Sequence, residues 1–133
     1  FHGTSFEGAA GITSTDFDLS RAGSAAGTLY GRGVYLAESC TKSDEYTSPN
    51  AEGDRVLLLC RATLGRIHYT AEVEPNPRKL EVKCGFMSHK TKKTEWYHSV
   101  LGDREKARGT FREFVLFNSA LVYAAFIITY RQA

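Results

Sequence analysis

A chain of 133 residues, 42% hydrophobic and 24% charged, has the size and composition of one ordinary globular domain, able to bury about two thirds of its unfolded surface. Its net charge of +2 gives no electrostatic reason to expect nucleic-acid binding. No run approaches the ~18–20 apolar residues of a membrane-spanning helix. Cys40, Cys60 and Cys84 stand far apart, without CxxC or zinc-like Cys/His spacing, which favours a reducing compartment, nucleus or cytoplasm, and no metal.

In chain order, "TSFE" at 4–7 fits a capping box and predicts a helix over about residues 5–15. "SRAGSAAGTLYGRG", 20–33, carries four glycines among small residues and reads as a mobile loop. Those glycines do not form a dinucleotide fingerprint, because Leu36 stands where a third glycine is needed. "GVYLAE" reads as a short strand. "ESCTKSDEYT" reads as a helix of two to three turns with Ser39, Ser43 and Tyr46 on one face. "DRVLLLCRATLG", 54–65, is the clearest strand, since Val56, Leu58, Cys60 and Ala62 alternate with Arg55 and Arg61. Residues 70–95 hold Pro75, Pro77 and most of the lysines and read as a long loop with one short strand at most. Lys90 to Lys93 in that loop read as a solvated run. Strands over 111–118 and 124–131 follow, the latter with Phe126, Ile128 and Tyr130 on one face. Several antiparallel strands with few short helices predict an α+β or mostly β domain.

"FREFVLFNSA", 111–120, places Glu113 on the same strand face as Phe111, Val115 and Phe117. A carboxylate among apolar side chains costs several kcal/mol unless it is paired, so Glu113 asks for a partner. Taken singly, each candidate has a plain structural reading. His2 could end a strand, Tyr35 could be a core aromatic, Ser43 and Tyr46 could be one helix face, and Glu113 could pair with an arginine.

In this order and at these distances the segments resemble the catalytic domain of the poly(ADP-ribose) polymerase family, the diphtheria-toxin-like ADP-ribosyltransferases of His-Tyr-Glu type. "FHGT" is similar to the family's His-Gly-Ser/Thr, and "YGRGVYLAESCTKSDEYT" to its Gly-x-Gly-Ile/Val-Tyr-Phe-Ala segment with a downstream Lys-Ser-x-x-Tyr. "VLLLCRATLG", "WYHSVLG" and "YAAFIITY" resemble further strands, and "FREFVLF" the strand holding the catalytic glutamate. Ala124-Ala125 stand where many members have Pro-Glu, and Phe114 where many have tyrosine.

The resemblance implies an ADP-ribosyltransferase fold, α+β, with mostly antiparallel split β-sheets and a few short helices around an NAD cleft. It implies that residues 1–133 are the catalytic domain without the strand and helix the family places upstream. It implies NAD+ as substrate, no metal, and transfer of ADP-ribose to a protein acceptor with release of nicotinamide. Mono- and poly-ADP-ribosylation both stay open, and a non-catalytic module binding NAD or ADP-ribose is the alternative. The implied partners are NAD+ and the protein acceptor, with no membrane and no nucleic acid engaged by this domain. By the same resemblance His2, Tyr35 and Glu113 form the catalytic triad. His2 would hold the adenine-side ribose, and Gly3 and Ser43 the nicotinamide amide. Tyr46 would stack on the nicotinamide ring with Tyr35 opposite. Thr4, Gly27 and Lys42 complete the NAD-binding set, and residues 19–30 form the loop over the donor.

Overall fold

A computed structural model describes residues 1–22, 28–82, 85–87 and 94–133. In chain order its elements are β1 (His2–Thr4), α1 (Phe6–Thr15), β2 (Val34–Ala37), α2 (Cys40–Asp44), β3 (Arg55–Ala62) and β4 (Ile67–Thr70). Then come α3 (Pro77–Val82), β5 (Gly85–Met87), β6 (Thr94–Trp96), β7 (Ser99–Asp103), α4 (Arg104–Arg108), β8 (Arg112–Leu116) and β9 (Val122–Tyr130). One sheet runs β1-β3-β9 and a second runs β2-β8-β7-β4, with β5 and β6 forming a separate hairpin. All pairings are antiparallel except β4 with β7. This is the expected α+β architecture of mostly antiparallel sheets with a few short helices.

The two sheets share a core because their strands alternate. Val56 and Leu58 of β3 meet Val34 and Leu36 of β2 and Leu116 of β8, with Ala9, Phe17 and Val122 closing the cluster. Fully burying one such aliphatic side chain contributes about 1.5–3 kcal/mol. A second cluster, Tyr30, Leu80, Val100 and Val115, lies on the opposite face of the second sheet. Strand β8 therefore feeds both: Leu116 points into the first cluster and Val115 into the second, each with no exposed surface. Glu113 belongs to the Val115 face, as the alternation demands.

The structure also departs from expectation. Helix α1 is capped by Ser5, whose Oγ accepts from Gly8 N at 3.1 Å, and not by Thr4. Thr4 is already the last residue of β1, so its backbone serves the sheet. Helix α2 is a single five-residue turn and a half, and Tyr46 lies beyond it, its N–H donating to Ser43 O at 3.1 Å. The stretch read as a long loop contains α3 and the β5–β6 hairpin, and β4 precedes it. Pro77 is the first residue of α3, where a missing N–H costs nothing, and Asn76 Oδ1 accepts from Arg78 N at 3.1 Å. Pairing of β3 with β9 slips by one residue between Leu59–Phe126 and Cys60–Ala124. Ala125 is thus the extra residue of a bulge, at the Ala-Ala pair that departs from the family pattern. Residues 23–27 of the expected loop, Cys84, and Lys90 to Lys93 lie outside the described residues.

Candidate functional site

A cavity of about 580 Å³ opens between β1, α1, β2 and α2, within the ~300–1,000 Å³ of typical ligand clefts. His2, Gly3, Thr4, Tyr35, Lys42, Ser43, Tyr46 and Glu113 all line it. Gly27 is the one candidate outside the described residues.

His2 is held by two contacts. Its Nδ1 lies 2.9 Å from the Tyr35 carbonyl oxygen, and its ring meets Phe17 edge-on at 5.1 Å. A carbonyl only accepts, so Nδ1 carries the proton. Burial lowers the imidazole pKa and outweighs the opposing pull of the Tyr35 carbonyl. The neutral ring then presents Nε2 as a lone-pair acceptor.

Gly3 leaves no room for a side chain. A Cβ there would sit 1.7 Å from the Ser43 carbonyl oxygen, so β1 and α2 pack backbone against backbone. This contact puts the edge strand β1 beside Ser43, itself buried. Tyr46 follows at the cleft mouth, 44% exposed. Lys42 Nζ lies 5.0 Å from the centre of the Tyr46 ring, a cation–π distance, and 2.7 Å from Glu45 Oε2. Burial works against the Lys42 charge, but the bonds to Glu45 and Tyr46 and the Glu113 charge outweigh it and raise its pKa.

Tyr35 is fixed at its far end. Its hydroxyl donates to Gly31 O at 2.8 Å and accepts from Tyr30 N at 3.0 Å, so the ring is a rigid wall. Glu113 pairs with Ala37 of β2 on one side and Gly102 of β7 on the other. Burial pushes its carboxyl above the ordinary carboxylate range; Lys42 and Arg104 pull it back and Glu45 pushes it further. The partner that the sequence demanded is thus a pair of cations nearby, and they do not cancel the desolvation.

Three features escaped sequence reading. Phe17, whose ring meets that of His2, stands in a stretch that carries no motif. Asp18 and Arg21 line the cavity too, Arg21 inside what reads only as a glycine-rich loop and Asp18 just before it. Tyr30, with no exposed surface, lies over Gly102, whose missing Cβ would come within 2.0 Å of the Tyr30 ring; no local pattern connects the two.

The model of the family "Poly(ADP-ribose) polymerase catalytic domain" matches residues 1–132 of the chain. A poly [ADP-ribose] polymerase tankyrase of Caenorhabditis elegans is 35% identical over 63 residues, 41% of this chain and 3% of the relative. A protein mono-ADP-ribosyltransferase PARP10 of Mus musculus is 39% identical over 67 residues, 49% of this chain and 7% of the relative. The matched stretches thus span less than a tenth of these curated relatives.

Proposed function

The chain belongs to the poly(ADP-ribose) polymerase catalytic-domain family, and on that premise we propose that it transfers ADP-ribose from NAD+ to a protein side chain and releases nicotinamide. The observation that carries the reading is the convergence of His2, Tyr35 and Glu113, from three different strands, on one cavity. In this reading nicotinamide stacks on Tyr46 with Tyr35 across from it. Its amide bonds to the backbone of Gly3, on the edge strand, and to the Ser43 hydroxyl. His2 accepts at Nε2 from a ribose hydroxyl.

The bond from ribose C1′ to the pyridinium nitrogen breaks with its electron pair leaving on nicotinamide. Positive charge develops on the sugar as in glycoside hydrolysis, and the fixed Glu113 carboxylate stabilises it where it forms. The acceptor nucleophile then bonds to C1′ and gives up its proton. Lys42 supports the ionised form of Glu113 and braces the Tyr46 ring. Thr4 and Gly27 border the donor in the same reading. The domain works in the nucleus or cytoplasm; the free thiols of Cys40 and Cys60 suit a reducing compartment.

The deciding experiment incubates the chain with NAD+ labelled in both halves and a protein extract. Nicotinamide release together with labelled protein supports the transferase. NAD+ binding without release would make the domain a binding module. A smear on a gel marks polymer and a sharp band a single ADP-ribose, which also decides between mono and poly transfer.

A further inference from the structure

Tyr30 carries the least explained polar atom in the described structure. Its side chain has no exposed surface and its hydroxyl makes no hydrogen bond of ordinary length; the Arg104 guanidinium beside it can only donate, so the phenol's own proton has no acceptor. A buried hydroxyl left unpaired is costly and uncommon. Its main chain is held in place, because its backbone N–H is bonded to the Tyr35 hydroxyl at 3.0 Å.

The hydroxyl's place in the sheet identifies its partner. A Cβ on Gly102 would fall 2.5 Å from the Tyr30 oxygen, so the phenol fills the space where a Gly102 side chain would stand. Gly102 is directly opposite Glu113 in the β7–β8 register. Directly opposed antiparallel residues project to the same face with Cβ atoms about 4.5–5.5 Å apart. The phenol therefore occupies the cross-strand neighbour position of Glu113, about one carboxylate arm from its stem. Around it lie one cation, Arg104, which can only donate, and two carboxylates, Glu113 and Asp103. Asp103 already accepts from Tyr69 Oη at 2.8 Å and from Lys106 N at 3.0 Å.

We propose that the Tyr30 hydroxyl is a positioning group for Glu113, donating to its carboxylate through one water or after a small rotation of the glutamate side chain. Resting on the transferase reading, this gives the carboxylate a fixed orientation: one oxygen is held against the sheet by Tyr30 and the other faces the sugar. It also explains why Gly102 has no side chain, since any would displace the phenol.

Tyr30→Phe tests this with little change of shape. Two measurements are made on the whole chain: the Glu113 carboxyl titration followed by carbon-13 NMR, and the kinetics of nicotinamide release. Loss of a donor to the charged form should move the Glu113 titration upward, with Lys42, Arg104 and Glu45 in place in both proteins. It should lower kcat roughly 10- to 100-fold, the scale found for outer-shell groups that orient metal-binding side chains, with KM little changed. A merely structural phenol predicts the opposite: a higher melting temperature from removing an unpaired hydroxyl, the same titration and the same kcat. An unmoved titration overturns the proposal. If the unaltered chain releases no nicotinamide, the transferase reading fails, and the titration alone still decides whether Tyr30 holds Glu113.

Discussion

Glu113 is a charge that the fold tolerates at a cost. Glu113→Gln keeps the shape and removes the charge. We expect nicotinamide release to fall on the order of 10²–10³-fold, the scale of one preorganised electrostatic group, while NAD+ affinity changes far less because the ground-state sugar is not yet cationic. The same variant should melt higher than the unaltered chain at neutral pH. The folded carboxyl titrates above its unfolded value, so the native protein is favoured below the unfolded pKa and loses that advantage as pH rises through the folded one. The stability difference should therefore close as pH is lowered. Melting curves of both proteins across that range check the sign. Gly3 is the opposite case, a residue defined by what it lacks. Gly3→Ala drives a Cβ into a backbone oxygen, a contact that no side-chain rotation relieves. Overpacking of this kind costs about 1–3 kcal/mol. A calorimetric titration should show nicotinamide affinity falling with it; unchanged affinity would remove Gly3 from the amide site.

At the scale of elements, α2 is too short to hold itself. It has five residues, and its N-cap Ser39 makes no side-chain capping bond. Its C-terminal end is tied to the last strand instead. The Asp44 carboxylate accepts from the Tyr130 hydroxyl and, at 2.5 Å, from Gln132 Nε2. Arg55 Nη1 donates to Thr47 O at 2.8 Å and to its hydroxyl at 3.0 Å. Asp44 directly follows Ser43 and Thr47 directly follows Tyr46, so the knot sets where both stand in the cleft. Tyr130→Phe should weaken nicotinamide binding several-fold with a smaller effect on the rate of bond cleavage at saturating NAD+, and a full set of kcat and KM values separates the two. The bonds from Tyr130 and Gln132 also lower the Asp44 pKa. Its contribution is present above the unfolded value and lost as pH falls through the folded one, so the affinity should drop in acid. The elements legible in the sequence were the long apolar, β-branched and aromatic runs, β3, β8 and β9, although a bulge at Ala125 breaks the alternation of β9. Helix α3 is hard to read because Pro75 and Pro77 resemble loop punctuation, although Asn76-Pro77 is a cap followed by a first-turn proline. The β4–β7 pairing was unreadable for a different reason. It is parallel and is anchored by contacts distant in sequence, Ser99 Oγ to Leu64 O at 2.7 Å and Arg66 N to His98 Nδ1 at 2.9 Å.

For the whole molecule, the cleft has one firmly packed side, β8, held between the two clusters. Helix α1 and, beyond it, Asp18, Arg21, Ala22 and Thr28 line the cavity as well. Hydrogen exchange with and without a non-hydrolysable NAD+ analogue should show new protection across 19–30 and almost none in β8, which is protected already. Equal exchange across 19–30 in both states would separate that segment from the donor site. The residues that line the cavity were legible as a set because their spacing resembles a known family. The contacts that place them were not. The imidazole's bond to Tyr35 O, the Gly3–Ser43 approach and the Tyr30–Gly102 interlock each join residues from separate elements, and no local pattern encodes such pairs.

The backbone contact between Gly3 and Ser43 also bears on drug resistance. In the proposed reading a flat amide inhibitor seated there would be gripped in part by the Gly3 main chain, which a point mutation cannot exchange. Substituting the glycine would damage the fold before it excluded the compound. Escape mutations would have to arise at the rim, and Tyr46, the most exposed of the cavity's aromatic rings, is where a resistance screen should find them first.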